Sequence, residues 1–589
     1  MEKKGTSQQN LSYLRHSCSH LLAAAILHLW PDTKRAIGPS IENGFYYDFE
    51  FSKPISESDF SKIEQEMHRL AKDWKAFERK EVSKEEAKKA FADNPYKLEL
   101  IEEFSANKEP LTLYGSGEYL DLCKGGHIEH PKDELKHFKL LSVAGAYWRG
   151  SEKNKMLTRI YGTCFPTKDE LDHFLWQQEE ARKRDHKKLG RDLDLFIISP
   201  EIGGGLPIFL PKGLVLRSLI EKFITHEKQK RGYQFVWSPH LAKSDVYKRS
   251  GHWQKYDAMY PPISLEDEDY VLKPMNCPHH FQVYLARPHS YRELPIRIAE
   301  NGTVYRNEKS GELNGLLRVR AATIDDTHTL VRHDQIAEEI DNVLDLIHTV
   351  FTAFGFSNYK ARISIRDPKN ADKYLGLPKL WDEAEQSLIE AAKRRKIDYF
   401  IGEGEAAFYG PKIDFMVSDS LGREWQLSTN QLDFVQPENF DLSYTDEKGE
   451  KKRPAVLHIA ILGSIERFMG ILIEDCAGMF PLWLSPIQIA ILPISEKQHD
   501  YAKNVHTFLQ AAGFRTELDS TNETLGKRIR HWEMQKVPYV VILGEKEKIG
   551  ELVAVRKHGQ GDLGTMSQHD FLLKLKEDMS DKNRNVTPF

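Results

Sequence analysis

Three groups of residues have types and spacings that could do chemistry. The first joins Arg15-His16-Ser17-Cys18-Ser19-His20 to Asp121-Leu122-Cys123-Lys124-Gly125-Gly126-His127. His16 and His20, four apart on a helix, share one face and can reach a common ligand. Cys123 and His127 repeat that spacing, with two glycines between them that predict a loop. Three histidines and a cysteine suit a tetrahedral zinc site. The same groups suit a metal-free hydrolytic site in which general bases act on a polarised water. Local spacing leaves both open, beside the plainer reading of two half-buried histidines on a helix.

The second group is Arg306-Asn307-Glu308, followed by a glycine-containing segment and Arg318-Val319-Arg320. An arginine that clamps a phosphate bidentately, with a glutamate two residues on, suits a nucleotide site built on antiparallel strands. The chain has no GxxxxGK[ST] and no strand–GxGxxG–helix, so neither usual phosphate loop is available. Gly203-Gly204-Gly205 reads as a flexible turn. A second arginine, Arg467, enters a predicted helix behind Gly463-Ser464-Ile465-Glu466. Taken singly, each arginine reads equally as a surface or ion-pair residue. The third group is dispersed over Cys277, Asp325-Asp326-Thr327-His328 and His458. Cys277 and His328 are 51 residues apart, His328 and His458 130, and no spacing rule joins them. Locally, Cys277 with His279 or His280 would serve as well.

These groups need elements to hold them. Apolar residues recur at helical steps over 13–30, and GPSIENGFYYDFE reads as a turn into a strand. The pattern stays mixed α and β to residue 165. From Lys168 to Leu195 it is polar and helical, with a basic run (Arg182, Lys183, Arg184, Lys187, Lys188, Arg191) that reads as a solvated helix face and a linker. Residues 195–484 alternate amphipathic helices with β-rich segments. After Pro486 a compact α/β pattern follows, whose strand VPYVVILG is apolar at successive positions, as a central strand covered on both faces requires.

At 589 residues, 40% hydrophobic and 29% charged, the chain is long enough for several domains, each with its own core. The net charge of −5, close to zero in the last hundred residues and slightly acidic in the rest, gives no argument for a nucleic-acid partner. The N-terminus has no apolar core followed by a cleavage site. The longest apolar runs, 455–463 and 487–494, fall far short of the ~20 residues a membrane span needs. Five scattered cysteines make no disulfide framework, and a reducing cytoplasm is expected.

Read together, RHSCSHLL, IGPSIENGFYYDFE, YLDLCKGGH, LKPMNCPHH, YRNEKSGELNGLLRVR, DDTH, FYGPKIDF, WQLSTNQLDF, HIAILGSIERFMGIL and PLWLSPIQ resemble, in order and across nearly the whole chain, the bacterial threonyl-tRNA synthetases, a class II aminoacyl-tRNA synthetase family. The resemblance implies a multidomain α+β and α/β fold. It gives an N-terminal α+β editing domain at 1–167, a helical linker at 168–194, a class II antiparallel-sheet catalytic domain at 195–484 and a C-terminal α/β anticodon-binding domain at 485–589. The ubiquitin-like module that precedes the editing domain in many members is not expected, since the first editing-type helix begins near residue 11.

The implied activity is ATP-dependent activation of L-threonine to threonyl-adenylate, transfer to tRNA(Thr), and hydrolysis of mischarged seryl-tRNA. Cys277, His328 and His458 match the three zinc ligands, one Zn²⁺ per subunit. Arg306 and Arg467 match the class II arginines on the α- and γ-phosphate sides of ATP, which binds with Mg²⁺. Glu308 matches the residue at the adenine amino group, and Arg318 lies over the phosphates. Asp326, Tyr409, Lys412, Gln426, Gln431 and Ser464 match residues around threonine, the adenylate or the ribose. His16, His20, Lys97, Asp121, Cys123 and His127 match the editing pocket, understood in the family to work without metal, with Tyr47 and Gly38 lining it. Asn522, Glu547 and Arg556 match anticodon-reading positions. The resemblance further implies a cytoplasmic homodimer with no membrane association; its interface is expected in 214–240.

The chain also departs from the family. Ala322 stands where an aromatic usually stacks on adenine, and Ile324 where a glutamine lies near the substrate. Gly126 replaces a common proline, and Leu427-Ser428 replace a Cys-Gly pair beside the threonine site. No zinc ligand or phosphate-binding arginine is lost, so an active enzyme is expected, with its affinity for adenine the property most altered.

Overall fold

Leu14, Cys18, Leu21, Leu22, Ala25 and Ile26 fall on one side of the opening helix, Glu2–Leu29, and are buried with Phe45, Tyr47 and Ile160 from the neighbouring sheet. The structure is a computed structural model and describes residues 2–580. The chain divides into two compact units, Met1–Glu179 and Glu180–Phe589.

In the first unit, the strands Lys34–Arg35, Gly44–Glu50, Met156–Phe165 and His137–Tyr147 pair antiparallel in that spatial order. A smaller sheet joins Glu78–Glu81, Thr112–Ser116 and Tyr119–Leu122. Helix Pro95–Ala106 starts where its sequence directs it. The Asn94 side chain accepts from the Tyr96 and Lys97 backbone N–H groups and Pro95 takes the first turn, which sets Lys97 at the helix start.

The second unit opens with the end of helix Lys168–Arg184 and helix His186–Asp192, separated at Asp185, whose carboxylate caps the second by accepting from Lys187 and Lys188 N–H. Its main sheet has eight strands, in the order Gln234–Phe235, Ile296–Tyr305, Ala321–Val331, Ala455–Ser464, Glu424–Asp433, Lys412–Ser418, Tyr359–Ile365 and Tyr399–Glu403. Only the two outermost pairs are parallel. Helices Pro211–Lys230, Ile336–Phe354 and Ile465–Asp475 bury their apolar stripes against one face of this sheet. Period-two alternation then sends every second side chain to the other face. On strand 321–331, Thr323 and Asp325 meet Arg217 and Lys228 of the first of these helices, and Ala322, Asp326 and His328 turn the opposite way.

The last hundred residues form a five-stranded sheet ordered Thr516–Leu518, Ile489–Pro493, Tyr539–Leu543, Leu552–Lys557, Gly561–Ser567. The first three strands are parallel. Helix His499–Ala511 covers one face and Leu525–Met534 the other, so strand 539–543 is central and buried as its composition predicts. Strand 561–567 and helix Glu545–Gly550 carry too little periodicity to be read from sequence. Among the described residues, no helix is long and apolar enough to cross a membrane.

Candidate active site

Sheet register assembles the dispersed group. Lys412, Gln431, His458, His328 and Ile298 are successive cross-strand partners, forming one row over five adjacent strands. One step along, Asp326 stands between Ala460 and Glu300. Cys277 completes the group from the first turn of helix Cys277–Leu285. Ligand atoms of Cys277, His328 and His458 lie within 4.8 Å of one another, all three residues buried. The donor set suits zinc: one sulfur and two imidazoles, with a position left open. Burial, together with Asp326 and Asp433, holds the Cys277 thiol well above its ordinary pKa, and burial with His458 and His280 holds His328 well below its own. A cation at this point would oppose the first effect and use the neutral imidazole that the second provides.

Side chains expected to bind small molecules surround the group. Asn276 Nδ2 donates to Asp326 Oδ2 (3.0 Å), and Tyr409 Oη donates to Gln431 Oε1 (2.7 Å), with the Tyr409 ring 5.3 Å from that of His458. Lys412 Nζ is 2.8 Å from Asp414, which also receives Gln426 Nε2 (2.9 Å), Thr429 Oγ1 (2.6 Å) and Arg362 (3.0 Å). Ser464 caps helix 465–475, accepting from Arg467 N–H and donating to Glu466 (2.9 Å). The Nε atoms of Arg306 and Arg467 are buried, and among the described residues neither has a hydrogen-bond partner. Two half-buried arginines whose buried Nε donors are unused can serve an anion. Glu308 and Arg318 instead engage each other at 2.7 Å, Arg318 also reaching Glu312 (2.8 Å).

In the first unit, all six residues expected at the editing site come together, with Tyr47 and Gly38. His16 Nδ1 donates to the Gly38 carbonyl (3.2 Å), which leaves the Nε2 lone pair facing Cys123 Sγ at 3.1 Å. His127 Nε2 is 3.4 Å from the same sulfur, and the His20 ring lies edge-on to His16 and His127. Beneath them Asp121 takes Lys97 (2.7 Å), Arg35 (3.2 Å), Tyr47 Oη (2.5 Å) and Tyr119 Oη (3.0 Å). Burial opposes charge on Asp121, but Lys97, Arg35 and His20 outweigh it and hold the carboxyl far below the usual range.

Burial, then His16, pushes His127 down to about 3, and burial raises the Cys123 thiol to about 11. At neutral pH the cluster therefore presents neutral imidazoles and a thiol. That equips it to act on water by base catalysis, not to attack as a thiolate. Gly38 is required by the Tyr47 ring, which a Cβ would meet at 2.0 Å. Gly126 adopts φ +87°, a conformation closed to the proline it replaces.

The three expected anticodon residues lie on separate elements: Asn522 exposed in the loop after strand 516–518, Glu547 on helix 545–550, and Arg556 on strand 552–557, 3.6 Å from Glu533. Sequence reading missed Arg362, Asp414, Asp433, Glu300 and His252, and it named His280 only as an alternative metal ligand beside Cys277. Each is a lone polar residue inside an apolar or loop segment, and only its partners mark it. His252 Nδ1 meets Ser250 Oγ at 2.7 Å and its Nε2 is buried with no hydrogen-bond partner among the described residues, its ring 6.2 Å from Tyr409.

Residues 260–476 match the family description "tRNA synthetase class II core domain (G, H, P, S and T)", residues 488–578 "Anticodon binding domain", and residues 111–161 "Threonyl and Alanyl tRNA synthetase second additional domain". The chain is 47% identical over 577 residues to a threonine–tRNA ligase of Prosthecochloris aestuarii, covering 96% of this chain and 88% of the relative. It is 50% identical over 571 residues to one of Cytophaga hutchinsonii, with the same coverage. A solved structure described as the RNA binding domain of threonyl-tRNA synthetase from Cryptosporidium parvum superposes with a TM-score of 0.63 at 36% identity, covering 67% of this chain and 98% of the other.

Proposed function

The chain belongs to the threonine–tRNA ligases, aminoacyl-tRNA ligases with a class II core that use ATP, threonine and tRNA, and from that premise we propose how its residues divide the work. Residues 195–484 catalyse, 485–589 read the anticodon, 1–167 edit, and 168–194 link. Arg306 and Arg467 bind the α- and γ-phosphate sides of ATP; their buried, unpartnered Nε atoms among the described residues support this. Glu308 turns from Arg318 to the adenine amino group, and Arg318 turns to the phosphates, which Mg²⁺ arriving with ATP also neutralises. The threonine carboxylate attacks the α-phosphorus in line, the bond to pyrophosphate breaks, and threonyl-adenylate forms. Lys412 and Gln426, tied to Asp414, hold the adenylate, and Asp326, Tyr409, Gln431 and Ser464 hold threonine and ribose. A terminal ribose hydroxyl of tRNA then attacks the adenylate carbonyl and AMP leaves. Positioning and charge stabilisation carry most of this rate.

Cys277, His328 and His458 would hold one Zn²⁺, which when bound would act as a Lewis acid that favours a substrate bringing a hydroxyl. Valine lacks the hydroxyl, and an apolar pocket alone separates such isosteres by roughly 10²-fold. The observation that carries the reading is the single row His458–His328 with Cys277 within 4.8 Å. Threonine-dependent ATP–pyrophosphate exchange and zinc content, measured on the parent and on Cys277→Ala, test it. We expect about one zinc and exchange in the parent and loss of both in the variant; stoichiometric zinc kept by Cys277→Ala overturns the ligand assignment.

Serine retains the hydroxyl, so a second sieve is needed. Hydrolysis of seryl-tRNA is assigned to His16, His20, Lys97, Asp121, Cys123 and His127, supported by their convergence and by the neutral state of the histidines. His16→Ala should slow seryl-tRNA hydrolysis by about 10²–10⁴-fold with threonine activation unchanged; unchanged hydrolysis removes the assignment. Asn522, Glu547 and Arg556 are read as contacts to unstacked anticodon bases. The enzyme is read as a cytoplasmic homodimer, its cysteines being free thiols.

A further inference from the structure

Each histidine of the Cys277–His328–His458 group has one ring nitrogen engaged by a buried partner outside the group. His458 Nε2 is 2.8 Å from Asp433 Oδ2, and the other oxygen of Asp433 accepts from the backbone N–H groups of Val435 (2.7 Å) and Gln436 (3.0 Å). His328 Nδ1 is 2.7 Å from His280 Nδ1, and His280 Nε2 is 3.2 Å from Glu300 Oε2. Glu300 is itself fixed by Ser238, whose N–H and hydroxyl each donate to it at 2.7 Å. Asp433 and His280 are fully buried, and Glu300 nearly so. Among the described residues, His328 Nε2 and His458 Nδ1 have no hydrogen bond of their own.

Hydrogen-bond direction then determines where the protons sit. A carboxylate only accepts, so His458 carries its proton on Nε2 and leaves the Nδ1 lone pair free. For the same reason His280 gives its Nε2 proton to Glu300, which leaves His280 Nδ1 an acceptor. The proton shared at 2.7 Å must therefore belong to His328 Nδ1, and the lone pair of His328 lies on Nε2. Both rings are set in the tautomer that a metal requires, by two chains that start from opposite sides of the sheet row.

Resting on the zinc reading above, we propose that Asp433 and the Glu300–His280 relay are positioning residues for the metal: they select the ligating tautomers of His458 and His328 and hold both rings in the geometry of binding. Outer partners of ligand histidines act this way generally, and their loss costs about 10–100-fold in metal affinity. Asp433→Asn is the sharpest substitution. Its Oδ1 can keep the two backbone N–H donors while its amide nitrogen faces His458, which drives the His458 proton onto Nδ1, the nitrogen meant for the metal. His280→Phe keeps a ring of similar bulk and removes the acceptor for His328.

The test is the Zn²⁺ dissociation constant of the full chain, by competition with a chromogenic chelator, for the parent, Asp433→Asn, His280→Phe, Cys277→Ala and Phe281→Leu. Phe281 packs on both ligand rings without bonding a nitrogen, and so reports packing alone. We expect Asp433→Asn and His280→Phe each to bind zinc about 10–100-fold more weakly, with Phe281→Leu within about threefold of the parent. Cobalt(II) substitution gives a second readout, and both relay variants should lose intensity in the visible ligand-field band. If both bind zinc like the parent while Cys277→Ala loses it, the relay is overturned and the ligand set stands. If Phe281→Leu weakens binding as much as they do, the effect is packing and the relay is overturned. If Cys277→Ala keeps zinc, or the parent takes none, the zinc reading fails and the relay with it. Should Asp433→Asn not fold, His280→Phe decides by the same comparison.

Discussion

Ala322 is buried beside Val304, Val319 and Ile324, a small apolar cluster on the strand that also carries Asp326 and His328. Threonyl-tRNA synthetases usually stack an aromatic on adenine at that position. Base–aromatic stacking is worth about 1–3 kcal/mol, so Ala322→Phe should lower the KM for ATP by about tenfold and leave the KM for threonine unchanged. A KM for ATP that rises or stays fixed in pyrophosphate exchange would show that the cluster, not a missing ring, shapes the adenine end. Titration at the editing cluster gives a second residue-scale prediction. An ordinary histidine would gain a proton near pH 6.5 and lose its function as a base. Burial lowers His16, and burial followed by His16 takes His127 to about 3, so protonation is displaced to lower pH. Seryl-tRNA hydrolysis by the full chain should change by less than about twofold between pH 7.5 and 6.0. A fall with a midpoint near 6.5 would mean that these imidazoles titrate as in solution.

At the scale of elements, the two sites differ in how far sequence discloses them. His16 with His20 and Cys123 with His127 are local pairs, legible because a helix turn and a short glycine loop set their geometry. His328 and His458 are cross-strand neighbours, and the 130 residues between them record only the length of the intervening insertions. Resemblance could name these ligands; periodicity could not. It named none of Asp433, His280 or Glu300, whose partners come from three other segments. The same strand 321–331 uses its opposite face to set the corner that carries Ser464 and Arg467. Asp325 accepts from the N–H groups of Ile461 (3.0 Å), Leu462 (3.1 Å) and Gly463 (2.9 Å), and Lys228 Nζ approaches it at 3.4 Å, both residues fully buried. Removing one member of a buried pair leaves an uncompensated charge. Asp325→Ala should therefore cost about 3–5 kcal/mol in urea unfolding. It should also raise the KM for ATP, because the corner that holds Arg467 loses its anchor. A loss below about 1 kcal/mol would place this carboxylate among surface-like contacts.

For the whole molecule, a net charge of −5 gives no argument for an RNA partner and leaves the partner open. Membership of a tRNA ligase family is consistent with that charge, because in a chain of 589 residues local basic surface can bind tRNA while the total stays slightly acidic. Exposed apolar surface is the more informative global property. Trp237 is 76% exposed and Leu214 53%, both within the 214–240 segment expected at a dimer interface. Leu241, Ile263 and Leu265 are exposed too, and the register of strands Leu241–Lys243, Glu268–Leu272 and Ile263–Leu265 puts all three on one face of a small sheet. Single exposed leucines are ordinary, but an exposed tryptophan and an aliphatic row on one sheet face, close together in the chain, suit a protein interface. In the homodimer proposed above, a two-fold axis would set this surface against its counterpart. Light scattering should then give twice the 68.1 kDa chain mass at micromolar concentration. Trp237→Lys should shift the mass toward the monomer. Segment 214–240 includes Arg217 and Lys228, which bond Thr323 and the Asp325–Thr327 stretch of the strand bearing Asp326 and His328. Threonine activation should fall with the dimer, and a monomeric Trp237→Lys with full pyrophosphate exchange would show that the site stands without its second copy.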